Sequence, residues 1–241
     1  MFLRFHKNRY VRKLIRRSLR LYWFITTLPT RIKISFFVKQ NNAWDKDYIK
    51  SFVHHSMQNF LISRDFLKNL TPSSTKILQK ASSIADFGCG TGELAREIDR
   101  VFPEKAIDGY DIAESAIYFA NARYAKKNIR YHAVSSDKIL NALKPSEIII
   151  TSQTLEHFRN PFIITDSLLE KAVYIFIIVP YKQTLDDSYI YEGGAAHAFS
   201  FNEHSFDKYK VLDYFIFQTL GWDYSIGTEE PKQIAFLLTK K

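Results

Sequence analysis

"IADFGCGTGELA", residues 84–95, is the stretch whose reading decides the fold. Ile84 and Ala85 lead a short apolar run into Asp86 and Phe87, and three glycines follow at alternating positions, Gly88, Gly90 and Gly92. Glycine admits positive φ and lets a ligand approach the backbone closely. The next residues, "ELAREIDRVF" (93–102), read as a helix, so the glycines occupy a strand-to-helix turn. The start of such a helix offers N–H groups that have no partner within it. Nineteen residues after Gly92 stands Asp111, closing the next apolar run in "AIDGYDIAESAI", where a carboxylate can accept both hydroxyls of a ribose.

Outward from this turn, short apolar runs alternate with helical segments. The runs are Ile84–Phe87, Ala106–Tyr110, Ile129–Ala133, Glu147–Ser152, Val173–Val179, Trp222–Ile226 and Ile234–Thr239. Seven strands alternating with helices predict an α/β, Rossmann-like, mostly parallel sheet with helices on both faces. "VYIFIIV" (173–179) lacks polar alternation, as a strand buried on both faces should. The last two runs flank "GTEEPKQ" and read as a hairpin, which makes the last strand antiparallel. "DKDYIKSFVHHSMQNFLISRDFLKNL" (45–70) reads as one or two helices stopped by "TPSS".

Two ligand classes suit the glycine turn, a dinucleotide or S-adenosylmethionine. A pyrophosphate binder usually shows G-x-G-x-x-G. Here Glu93 and Leu94 follow Gly92, and the acid Asp86 precedes the first glycine. A carboxylate at that point repels phosphate and suits an ammonium or a sulfonium. The bland alternative, a tight turn with no ligand, leaves the position of Asp111 unexplained.

The pattern "hhDhGCGTG" followed by "hxGhDhxxxxI" resembles the class I S-adenosylmethionine-dependent methyltransferases, over about residues 80–241. The resemblance implies that Gly88, Gly90 and Gly92 pack along the methionine and ribose, with Asp86 near the amino group. It also implies that Asp111 holds the ribose hydroxyls and Ile112 packs on adenine. Where the family often has an acid facing the adenine amino group, "YHAVSSDKI" offers Ser135 and Ser136, with Asp137 beside them.

The methyl acceptor is sought after the fourth strand, in "SQTLEHFRNP" (152–161), and forty residues on, in "HAFSFNEHSF" (197–206). Together they resemble small-RNA 2′-O-methyltransferases and ubiquinone-type O-methyltransferases. That resemblance implies Glu156, His157 and His197 as ligands of a divalent metal, Mg or Mn, with Gln153 where the first carboxylate of an E-x-x-E-H segment should stand. An amide is a poorer ligand for a hard cation. A metal would lower the pKa of an acceptor hydroxyl. Without metal, His157 or His197 is a candidate general base. The remaining alternative is that both histidines only hold their loops together. His54, His55 and His204 have no motif around them. The segment 179–200 reads as a substrate-facing lid carrying Tyr181, Tyr189 and Tyr191.

Charge is unevenly placed. Lys and Arg number 34 against 25 Asp and Glu, and residues 1–44 hold 11 of the basic residues and no acid. "NRYVRKLIRRSLRLYWFITTL" (8–28) patterns as a basic amphipathic helix, which Pro29 is expected to end. Its apolar run is too short to span a bilayer, which takes about 20 residues. Contact with an anionic membrane surface through residues 1–28, packing on the body, and binding of nucleic acid phosphate are the alternatives for it. The single cysteine, Cys89, excludes an internal disulfide and suits a reducing, cytoplasmic compartment.

The sequence therefore predicts an extension (1–44), a helical cap (45–80) and a methyltransferase core (81–241). The expected activity is S-adenosylmethionine-dependent O-methylation of a small-molecule or cell-surface glycan or lipid-linked acceptor, as in polysaccharide biosynthesis. RNA 2′-O-methylation and a non-catalytic S-adenosylmethionine-binding module are the alternatives.

Overall fold

The computed structural model describes residues 9–38, 42–183, 197–219 and 232–240. In chain order the helices are α1 (Arg9–Phe37), α2 (Ala43–Lys68), α3 (Pro72–Lys80), α4 (Glu93–Val101), α5 (Glu114–Tyr124), α6 (Ile139–Ala142) and α7 (Pro161–Lys171). The strands are β1 (Ser83–Phe87), β2 (Ala106–Asp111), β3 (Ile129–Ala133), β4 (Ser146–Ser152), β5 (Ala172–Pro180), β6 (Lys210–Gln218) and β7 (Lys232–Thr239). They form one sheet in the order β3-β2-β1-β4-β5-β7-β6. The first five pair in parallel, and β7 runs antiparallel to both β5 and β6.

The apolar runs divide between two cores. Ile148, Ile150, Phe176 and Ile178 pack on one face with Ile62 and Phe66 of α2. Ile149, Ile175, Ile177 and Val179 pack on the other with Leu168 and Leu169 of α7. Successive residues of a strand point to opposite faces, so a strand covered on both sides must be apolar throughout. The strand order reverses between β1 and β4, which share the register Asp86↔Ile150. A crevice opens at such a reversal, beyond the carboxyl ends of the strands.

Two expectations are corrected and one is extended. Pro29 does not end the first helix, which continues to Phe37. An interior proline normally costs about 3 kcal/mol. Trp23, Thr27 and Ile34 are buried on either side of it, so packing holds the two halves together. Arg123 of α5 donates to the Thr26 carbonyl at 2.6 Å, beside the carbonyl that Pro29 leaves without its usual donor. The extension is thus a helix lying on α2 and α5.

The sixth strand is Lys210–Gln218. "KVLDYFIFQ" carries apolar residues on both faces, although Leu212, Tyr214 and Ile216 are exposed at the sheet edge, so no polar alternation advertises it. The run Trp222–Ile226 lies outside the described residues. Finally, "TPSS" does more than stop α2. Thr71 caps α3, accepting from Ser74 N, and its hydroxyl, with those of Ser73 and Ser74, donates to Asp213 of β6.

The carboxyl half of α2 is part of the core. Phe66 is fully buried, with its ring 5.7 Å from that of Phe176 and 5.9 Å from that of Phe215. Phe66→Ala should cost about 3–5 kcal/mol in denaturant unfolding, whereas Ile163→Ala, on an exposed face of α7, should stay within about 0.5 kcal/mol. Equal effects would show that α2 does not share the core.

Candidate active site

The glycine turn leaves β1 at the strand-order reversal, and two neighbouring loops hold it there. Gly88 N and Cys89 N both donate to the Tyr110 carbonyl, at 2.9 and 3.1 Å. Gly90 N donates to Asp111 Oδ2 and Ala113 N to Asp111 Oδ1, each at 2.8 Å. Asp111 therefore ties the loop after β1 to the loop after β2. Two of the glycines are required by close approach as well as by backbone angle. A Cβ on Gly88 (φ +76°) would lie 2.2 Å from Thr154 Oγ1, and one on Gly90 (φ +50°) 2.5 Å from the Tyr48 hydroxyl. Gly92 caps α4 in the left-handed conformation.

Three acids are buried around this turn. Asp86 is 1% exposed, and neither carboxylate oxygen has a hydrogen-bond partner. Burial, reinforced by the negative charges of Asp111 and Glu93, pushes its carboxyl up to about 8. Glu93, the first residue of α4, accepts from Thr91 Oγ1 at 2.5 Å, and burial raises it to about 7. Asp111 is also raised by burial, against the pull of its backbone N–H donors. Burying a carboxylate without a partner is costly, and a ligand bringing positive charge would relieve that cost at Asp86.

The amino end of α2 lies across the turn. Asn42 caps the helix by accepting from Asp45 N at 2.9 Å, and its amide donates to the Ile112 carbonyl at 2.8 Å. Asp45 accepts from both the backbone N–H and the hydroxyl of Ser115, at 2.9 Å each. Ser56 donates to Thr91 at 3.2 Å. The sequence offers this segment as a helical cap, but neither Trp44 nor Tyr48 stands in a sequence motif that marks its own contact. Glu93 was missed too, although an acid at the start of a helix after a glycine turn was a usable signal.

The second cluster follows β4. Leu155–His157 forms one 3-10 turn, and the Glu156 carbonyl accepts Ala198 N and Phe199 N at 2.7 and 3.0 Å. Those two bonds bring "HAFSF" onto "LEH", forty residues away. Glu156, His157 and His197 offer ligand atoms within 4.8 Å of one another. Glu156 is fully buried with neither oxygen hydrogen-bonded, and burial pushes it to about 8. His197 meets Gln183 Oε1 through Nδ1 at 2.5 Å, and burial, then the neighbouring His157, lowers it to about 4. The His157 ring stands edge-on to His197 at 4.9 Å and to Trp44 at 4.8 Å, so α2 touches both clusters.

The remaining sequence candidates fall as follows. Gln153 adopts φ +54° and its amide N–H donates to Gln233 of β7 at 2.8 Å, while its buried amide oxygen has no hydrogen-bond partner. Ile112 is half-buried after β2, and Ser135 and Ser136 are exposed after β3, all on the same edge of the sheet. Tyr181 donates to Glu203 at 3.0 Å. Tyr189 and Tyr191 lie outside the described residues. His55 pairs with Asp47 and its ring lies 5.0 Å from that of Tyr48, and His204 pairs with Asp207.

A protein family described as a methyltransferase domain matches residues 53–222. The malonyl-[acyl-carrier protein] O-methyltransferase of Bacillus cereus is 31% identical over 77 residues, which are 32% of this chain and 28% of that enzyme. The match thus spans under a third of the relative's length. Among solved structures, magnesium protoporphyrin IX methyltransferase (ChlM) from Synechocystis PCC 6803, with bound SAH, superposes with a TM-score of 0.52 at 16% identity. The superposition covers 95% of this chain and all of that one. The N-terminal domain of EvdMO1, with SAH bound, gives 0.50 at 14% identity over 70% of this chain and 79% of that one. These two likenesses concern the fold. The chain belongs to the methyltransferase-domain family, and its sheet is that of the class I S-adenosylmethionine-dependent methyltransferases.

A carboxyl raised by folding keeps its proton in the native state while the unfolded chain gives it up, so it contributes stability at low pH that is lost as pH rises toward its folded value. For Glu156 that window runs from its ordinary 4.5 to about 8. Glu156→Gln should therefore gain roughly 3–4 kcal/mol on the wild type between pH 5 and pH 8, read by denaturant unfolding at both values. A difference independent of pH would show that Glu156 is not held protonated.

Proposed function

We propose that this methyltransferase binds S-adenosylmethionine at the glycine turn and methylates an oxygen of an acceptor held at Glu156, His157 and His197. The observation that carries the reading is Asp86, a fully buried carboxylate without a hydrogen-bond partner. Asp86 would pair with the donor's ammonium group, and Asp111, at the end of β2, would take the ribose hydroxyls. Ile112 would pack on adenine, and the exposed turn at Ser135 and Ser136 would face its amino edge. S-adenosylmethionine supplies an electrophilic methyl on a sulfonium. Placing the acceptor in line with it is the main contribution open to the protein.

Oxygen as the accepting atom is supported by the second cluster and by the name of the Bacillus cereus relative, an O-methyltransferase. A small-molecule, glycan or lipid-linked hydroxyl held at this cluster would lie beside Trp44, whose ring meets that of His157. His197, held neutral by burial, is a weak base near pH 7, which leaves His157 as the candidate to take the hydroxyl proton. The same three residues suit a divalent cation. Two imidazoles and one carboxylate favour Mn over Mg, which prefers oxygen ligands throughout, and Gln153 would add at most a neutral amide oxygen. A bound cation would lower the pKa of the acceptor hydroxyl.

Calorimetry with S-adenosylmethionine and S-adenosylhomocysteine tests the donor site. Wild type should bind both, and Asp111→Ala, checked as folded by circular dichroism, should weaken binding about tenfold or more. Failure of wild type to bind either would overturn the proposal. Chelation decides the second cluster: activity lost with EDTA and restored by Mn supports a metal, and activity that persists assigns the proton to His157.

A further inference from the structure

We infer that the outer face of α1 is a docking surface for an anionic lipid membrane, with the helix lying in the plane of the interface. The inference stands independently of the methyl-transfer reading.

Helix α1 has two apolar faces. Trp23, Thr27 and Ile34 are buried against α2 and α5. Each residue of a helix advances about 100°. Leu21, Ile25, Leu28 and Ile32, spaced four, three and four residues apart, therefore form a second stripe directly opposite the first. All four are exposed, at 61, 60, 40 and 50%. Phe24, 46% exposed, widens the stripe on one side, and Tyr22, 59% exposed, stands on the other. A helix held only by the body needs one apolar face, and a contiguous exposed stripe of this kind signals a partner.

Charge identifies the partner. Arg17, Arg20 and Arg31 flank the stripe on the Phe24 side, with the Arg31 guanidinium over the Phe24 ring at 5.1 Å. Lys33 lies on the Tyr22 side. Residues 1–44 carry 11 Lys and Arg and no acid. An apolar stripe between two cationic flanks, with an aromatic at each margin, matches a monolayer in which acyl chains lie beneath anionic headgroups. A protein partner would need an acidic rim around an apolar groove, and nucleic acid would leave the apolar stripe unused. No helix among the described residues is long and apolar enough to cross a membrane, so the contact is an in-plane one.

The test is flotation of the full chain with vesicles of phosphatidylcholine alone and of phosphatidylcholine mixed equally with phosphatidylglycerol. Wild type should prefer the anionic vesicles at least tenfold, and the preference should fall with salt. Ile25→Ser combined with Leu28→Ser should lower partitioning about tenfold or more while leaving the melting temperature unchanged, because neither residue touches the body-facing stripe. Arg17→Gln with Arg20→Gln should weaken anionic binding only. Three results would overturn the inference: equal flotation of wild type and the serine variant, a soluble dimer that the serine changes dissociate in sedimentation, or binding to generic RNA that survives the serine changes while vesicles are not bound.

Discussion

The architecture turns on one electrostatic constraint, a carboxylate buried at the strand-order reversal with nothing to pair with. Asp86 sits at the end of β1, between β2 and β4, where both neighbours are covered by helices and water is excluded. A chain gains no stability by placing an acid there. A ligand bringing positive charge would replace the missing partner, and the nearby acids Asp111 and Glu93 add to the upward push that burial gives the Asp86 carboxyl.

The rest of the site is arranged around that turn. Asp111 fixes the glycine backbone through Gly90 N and fixes its own loop through Ala113 N. Helix α2 then closes over it, with Asn42 and Asp45 anchored to the loops after β2 and Tyr48 against Gly90. Trp44 extends the contact to His157. The donor and acceptor clusters therefore share one covering element. Ser51, whose non-helical φ of −116° interrupts α2, lies between Tyr48 and Ser56, both of which reach the turn.

The parts of the fold set by local spacing were legible in the sequence. The glycine turn, the acid before it and the acid after β2 are read from a few adjacent residues, and six of the seven strands announce themselves as apolar runs. What escaped depends on distant contacts. The passage of α1 through Pro29 rests on burial of Trp23 and Ile34 and on Arg123, about a hundred residues along the chain. β6 escaped because both of its faces are apolar. Glu156, His157 and His197 were named through resemblance. Their meeting depends on the Glu156 carbonyl catching Ala198 and Phe199, which no periodicity encodes. Trp44 and Tyr48 carry no motif and gain their role only once α2 crosses the turn.

The central claim is that Asp86 awaits a cation. With its carboxyl raised to about 8, Asp86 is largely protonated near pH 7 and must give up that proton when an ammonium group arrives. The most direct measurement is the heat of S-adenosylmethionine binding at pH 7 in buffers of different ionisation enthalpy. The account predicts release of about one proton on binding, lost in Asp86→Asn. Binding by wild type without proton release, or with the same release in Asp86→Asn, would contradict it.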